Sequence, residues 1–110
     1  MAGKIKLNTL QNRTLALFQA LALDPSTSTH DEVTGEVLLT FLPHAHGDHI
    51  HIGKYVVSAR EASGFQNEKV WTALERKGLV RSGFPVSITL TPAGLTFETG
   101  LAESFTVSDH

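Results

Sequence analysis

Apolar positions recur along this chain in blocks, and the spacing within each block predicts an element. From Asn8 to Leu23, residues Leu10, Leu17 and Leu21 form one stripe at helical spacing. Asn8 or Thr9 can cap that helix, and Asp24-Pro25 stops it. Leu15, Phe18, Ala22 and Leu23 carry apolar surface round to its other sides. A helix so encircled must be buried on more than one face, which in a small chain favours a partner chain over a central helix in a monomer. Pro25 to Thr29 is a polar connector. Thr29 to Leu42 fits two patterns. Thr29-x-x-Glu32 has the form of a capping box, with Val33, Val37 and Phe41 following at helical spacing. Val37 to Phe41 equally fits a buried strand, and Gly35 weakens a helix.

The second half is patterned more sharply. Tyr55-Val56-Val57 is a short extended piece. Ser58-x-x-Glu61 is a capping box that starts a helix at Ala59, whose buried face holds Ala59 and Ala62. Gly64 makes the turn into the next helix. Asn67 caps that one, Val70, Ala73 and Leu74 form its buried stripe, and Trp71 flanks the stripe. Lys69, Thr72 and Arg76 fall on the opposite side, with Glu68 and Glu75 beside them. Gly78 ends the helix. Leu79-Val80 leads into a strand, Ser82 to Pro85 supplies a turn, and Val86, Ile88 and Leu90 alternate with Ser87 and Thr89 as a half-buried strand. Thr91-Pro92 reads as a cap with proline at the first helical position. Leu95, Ala102 and Phe105 then line a final helix, with Leu101 adjoining it, and the tail from Thr106 to His110 frays.

The order of helix, ALxxKGLV, short hairpin and LTPAG resembles the recognition helix and wing of winged helix-turn-helix proteins, especially MarR-like bacterial transcriptional regulators. The matching residues are Ala73, Leu74, Lys77, Gly78, Leu79, Val80, Leu90, Thr91 and Gly94, within a stretch from Val56 to Gly94. The resemblance implies one α+β winged-helix domain over 1–110, with three or four core helices, a small antiparallel β-wing and a C-terminal helix. It favours a helix over Thr29–Leu42. It implies a homodimer formed through residues 9–23 and the C-terminal helix. It also implies that the 67–77 helix enters a major groove of duplex DNA while the 80–90 wing lies alongside. Gln66, Asn67, Lys69, Thr72, Arg76, Lys77 and Arg81 would then contact DNA.

Composition bounds these readings. At 110 residues the prior is a single domain. Without cysteine, disulfides and thiolate metal sites are excluded. No apolar run spans a bilayer, and MAGKIKLN lacks the apolar core of a secretory signal, so a soluble cytoplasmic protein is expected. The net charge of −2 does not advertise a nucleic-acid binder. Its distribution is uneven, however. Between Ile50 and Pro85 six cations face three glutamates, a balance of +3, which leaves −5 on the rest of the chain. That asymmetry suits DNA, and an ordinary mixed surface would look similar.

The stretch PHAHGDHIHI, Pro43 to Ile52, offers separate chemistry. His44, His46, Asp48 and His49 have the form of the metal motif of the metallo-β-lactamase superfamily. Imidazoles and a carboxylate so spaced can hold zinc and activate a bound water. That fold also needs ligands far downstream, and past His51 only Asp109 and His110 remain. No local motif activates a nucleophile, so the chain is read as no enzyme, with no required cofactor. Two milder readings stand: an ordinary exposed loop, or a zinc site that regulates the domain. His49 and His51 would share a side if they lie on a strand. The competing function for the whole chain is a winged-helix domain that binds protein instead of DNA.

Overall fold

The computed structural model describes residues 5–40, 49–52, 55–58, 62–100 and 106–107. Among them are three α-helices, a one-turn 3-10 helix and seven strands, in an α+β arrangement. Helix α1, Thr9–Ala22, begins on a capping box. Asn8 accepts from the Gln11 amide at 2.8 Å, and the Gln11 side chain accepts from the Asn8 amide at 3.2 Å. Its last carbonyls are met by side chains from the connector and the first strand. Thr27 donates to Leu21 O, Ser28 to Ala22 O, and the His30 ring lies 3.2 Å from Ala22 O. No described helix is long and apolar enough to cross a membrane.

The region from Thr29 to Leu42 is not a helix. Ser28–His30 (β1) and Val37–Leu39 (β2) pair antiparallel, with Thr29 opposite Leu38. Asp31 accounts for the difference. Its Oδ1 accepts from the amides of Val33 and Thr34, so the side chain builds a turn where the helix reading needed Thr29 to cap one. Gly35 completes that turn at φ +77°, in the left-handed region that glycine enters cheaply. Val37 and Leu39 are buried and Leu38 is exposed, which is period two. Val33 is 95% exposed and belongs to no stripe. Phe41 and Leu42 lie outside the described residues.

Strands β3 (His49–Ile52) and β4 (Tyr55–Ser58) form a second hairpin, so the extended reading of Tyr55–Val57 holds. The helix expected to start at Ala59 is represented, among described residues, only by the 3-10 turn Ser63–Gln66. Gly64 sits inside that turn, pressed against Thr14 of α1. Helix α2, Glu68–Arg76, comes next, then β5 (Val80–Gly83) and β6 (Ser87–Leu90). Val86, expected in the last strand, lies in the turn and is 73% exposed. The final helix is shorter than expected: α3 is Pro92–Thr96, capped by Thr91 as predicted, and Phe97 leaves it in extended backbone. Gly94, Thr96, Thr99 and Gly100 are poor helix formers, which explains why the helix does not continue through residues 97–100. Residues 101–105 lie outside the described set. Thr106–Val107 (β7), expected to fray, pairs with Tyr55–Val56.

The sheets run β1-β2-β6-β5 and β3-β4-β7, each antiparallel. Leu15, Leu17, Phe18 and Leu21 of α1 share one core with Val37, Leu39, Ile88 and Leu90 of the four-stranded sheet and with Val70, Trp71 and Leu74 of α2. Of the apolar residues that carry round the sides of α1, Leu15, Phe18 and Ala22 are buried within this chain and Leu23 is 81% exposed. Gln19 donates to the carbonyls of Gly94 and Phe97, both at 2.8 Å, and Asn12 donates to Thr99 O at 2.7 Å.

Candidate nucleic-acid interface

The candidate surface is built on α2. Asn67 caps it, its side chain accepting from the Lys69 amide at 3.1 Å. Val70, Trp71 and Leu74 are buried and Ala73 is half-buried. Trp71 is not a flank of this stripe but its centre, fully enclosed, with its indole N–H donated to Gly64 O at 3.1 Å. Phe18 meets it edge-on at 5.6 Å, and Phe84 from the β5–β6 turn meets it edge-on at 4.8 Å. Phe65 in turn stacks on Phe18 at 5.0 Å.

With that face inward, the opposite one is set. At 3.6 residues per turn, Lys69, Thr72 and Arg76 fall within about 60° of one another. Lys69 and Arg76 are exposed and Thr72 is half-buried. Gln66 is exposed at the end of the 3-10 turn, just before the helix. Gln66 thus precedes the arc that Lys69, Thr72 and Arg76 form on α2. The exposed side of a helix suits docking on a large partner better than enclosure of a small molecule.

The other expected contacts, Asn67, Lys77 and Arg81, each have a partner within the chain. Asn67 spends its oxygen on the cap. The Lys77 ammonium donates to Lys6 O at 2.6 Å, strapping the N-terminal segment to the end of α2. Arg81 projects from the sheet face that turns away from the core, next to Thr89, and pairs with Glu36. A shallow groove of about 250 Å³ runs across that outer face, floored by Thr29, Leu38 and Thr89. It is smaller than the roughly 300–1,000 Å³ of small-molecule pockets.

Glu75 is the residue whose role the sequence did not reveal. It was expected beside the basic face, where it would repel phosphate. Its Oε2 instead accepts from the backbone amide of Ser82 at 3.1 Å. Strand β5 is a sheet edge, so alternate amides there find no partner in the sheet, and Glu75 supplies one. The pattern gave the face of the helix, but no local signal says which side chain meets which edge amide.

His44, His46 and Asp48 lie outside the described residues, and of His49 only its place in β3 is described. His49 and His51 occupy alternate positions of that strand, opposite Ser58 and Val56. Among the described residues no group of three or more histidines and carboxylates could hold a metal ion. No protein-family model matches the chain, and no curated protein or solved structure matches it.

Proposed function

We propose that this chain is a winged-helix-type domain that binds duplex DNA through the exposed arc of α2. The observation that carries the reading is the gathering of Lys69, Thr72 and Arg76 on one face of α2, with the Glu75 carboxylate engaged at the strand edge. The topology supports it: β2, β6 and β5 lie side by side, and α2 runs directly into the β5–β6 hairpin, in the order of a recognition helix and its wing. On this reading Thr72 faces base edges, while Lys69 and Arg76 approach phosphates and Gln66 borders the backbone. Arg81 plays no part on the α2 face. Pairing of two copies belongs to the same proposal, and light scattering on the purified chain tests it.

The experiment is fluorescence anisotropy on a labelled pool of random-sequence duplexes over a salt series. Two phosphates neutralised per chain predict a log–log slope of about −2. Replacing Lys69 and Arg76 with glutamine should abolish the slope. Absence of binding at low salt would overturn the DNA reading.

A second reading, docking on a protein, is favoured by a specific feature. The element before α2 is a single 3-10 turn among the described residues, which gives little support to a helix pressed into a groove. In that case the same arc binds an acidic protein surface and random duplexes stay unbound.

A further inference from the structure

We propose that Glu75 is a positioning residue that fixes the β5–β6 wing against α2, and that it strengthens docking despite its negative charge. This rests on the reading of α2 as the docking helix. Four residues close a circuit. Glu75 accepts from the Ser82 amide at 3.1 Å. The Ser82 hydroxyl accepts from the Phe84 amide at 3.3 Å, which shapes the turn. Phe84 places its ring edge-on to Trp71 at 4.8 Å. Trp71 and Glu75 are four residues apart, one turn of the same helix. The hairpin is thus held to α2 at two points, one polar and exposed, one aromatic and enclosed. An edge strand joined to the sheet on one side only would otherwise be free to tilt. A surface that must meet a rigid partner loses affinity when its parts have to be ordered on binding.

The consequence is opposite to simple electrostatics. A carboxylate that only repels phosphate should, when removed, tighten binding in both Glu75→Ala and Glu75→Gln. A carboxylate that braces the wing gives different results for the two. Glutamine keeps an acceptor for Ser82 N and drops the charge, so E75Q binds the random duplex pool as well as the parent or better. Alanine removes the acceptor, so E75A binds about three- to tenfold more weakly, the loss expected for one exposed hydrogen bond. The salt slope stays unchanged in E75A, because no cation has been lost.

Amide hydrogen exchange of Ser82 without DNA supplies the independent readout: faster in E75A, near the parent rate in E75Q. Equal tightening in both variants, or an unchanged E75A affinity, overturns the inference. So does an unchanged Ser82 exchange rate. If the parent chain binds no duplex at all, the DNA reading falls and the effect on docking falls with it, while the exchange data still report whether the brace exists. Because Glu75 is exposed, neither variant disturbs the core; melting curves within a few degrees of the parent confirm that both fold.

Discussion

The four-stranded sheet contains two hairpins, and they are held in different ways. The β1–β2 turn is made by its own residues. Asp31 gathers the Val33 and Thr34 amides, Thr34 accepts from the Glu36 amide, and the Asp31 amide is given to Glu36 O. Its tip is open to water at Val33. The β5–β6 turn has bonds of its own, from the Phe84 amide to Ser82 Oγ and from the Val86 amide to Gly83 O, and is tied to its surroundings as well: Phe84 rests on Trp71, and Glu75 holds the strand edge. A turn of the first kind keeps its shape wherever the hairpin goes. A turn of the second kind is also fastened to α2, so it can transmit the position of that helix.

The contrast is broken most forcefully at Trp71. Trp71→Ala removes a fully enclosed side chain and should cost about 3–5 kcal/mol in urea unfolding. Amide exchange should show the β5–β6 turn loosening first, with the β1–β2 turn keeping its protection relative to the rest of the fold. Equal loosening in both turns would erase the distinction. Gly64→Ala comes next. A β-carbon there would lie 1.8 Å from Thr14 Oγ1, and Thr14 is itself fully buried, so the 3-10 turn must shift. A loss of about 1–3 kcal/mol is expected. Thr14→Ala in the same chain should recover part of it, which a double-mutant cycle would measure.

Acid sharpens the comparison from the other side. The amides of Val33 and Thr34 hold the Asp31 carboxyl below its ordinary range. A carboxyl whose folded pKa lies below its unfolded value, about 3.9 for aspartate, adds stability in full above that value. The contribution is lost as pH falls through the lower folded pKa. On titration below pH ~3.9, the Val33 and Thr34 amide resonances should therefore move while those of Phe84 and Val86 hold. The smallest effect is expected at the ion pair linking the hairpins. Arg81→Gln should change stability by less than about 1 kcal/mol, because the guanidinium side is largely in water.

The same division explains which elements were legible in the sequence. Helix α2 was legible because Asn67, Val70, Leu74 and Gly78 state its start, face and end locally. Thr91-Pro92 was legible for the same reason. The β1–β2 hairpin was misread although its signals are local too. Val33, Val37 and Phe41 happen to fall four apart, and a capping-box pattern at Thr29 competed with an aspartate turn two residues later. The extent of the last helix was overestimated because Leu95, Ala102 and Phe105 keep a helical spacing that the intervening Thr96, Thr99 and Gly100 do not support. The arc of Lys69, Thr72 and Arg76 needed only the period of a helix. Arg81 needed to be assigned to one face of a sheet whose other strands were not all foreseen. The Glu75–Ser82 contact depends on how helix and strand pack, which no periodicity contains.

The lone tryptophan of this chain has a practical value. Its indole is shut between Phe18 and a ring carried by the hairpin tip, so the wavelength of its emission is governed by whether that tip stays seated. Any partner that lifts the tip lets water reach the indole and moves the emission to the red. One that presses the tip down leaves the colour unchanged. The unlabelled protein can thus signal, in a cuvette, whether a candidate partner disturbs this corner of the fold.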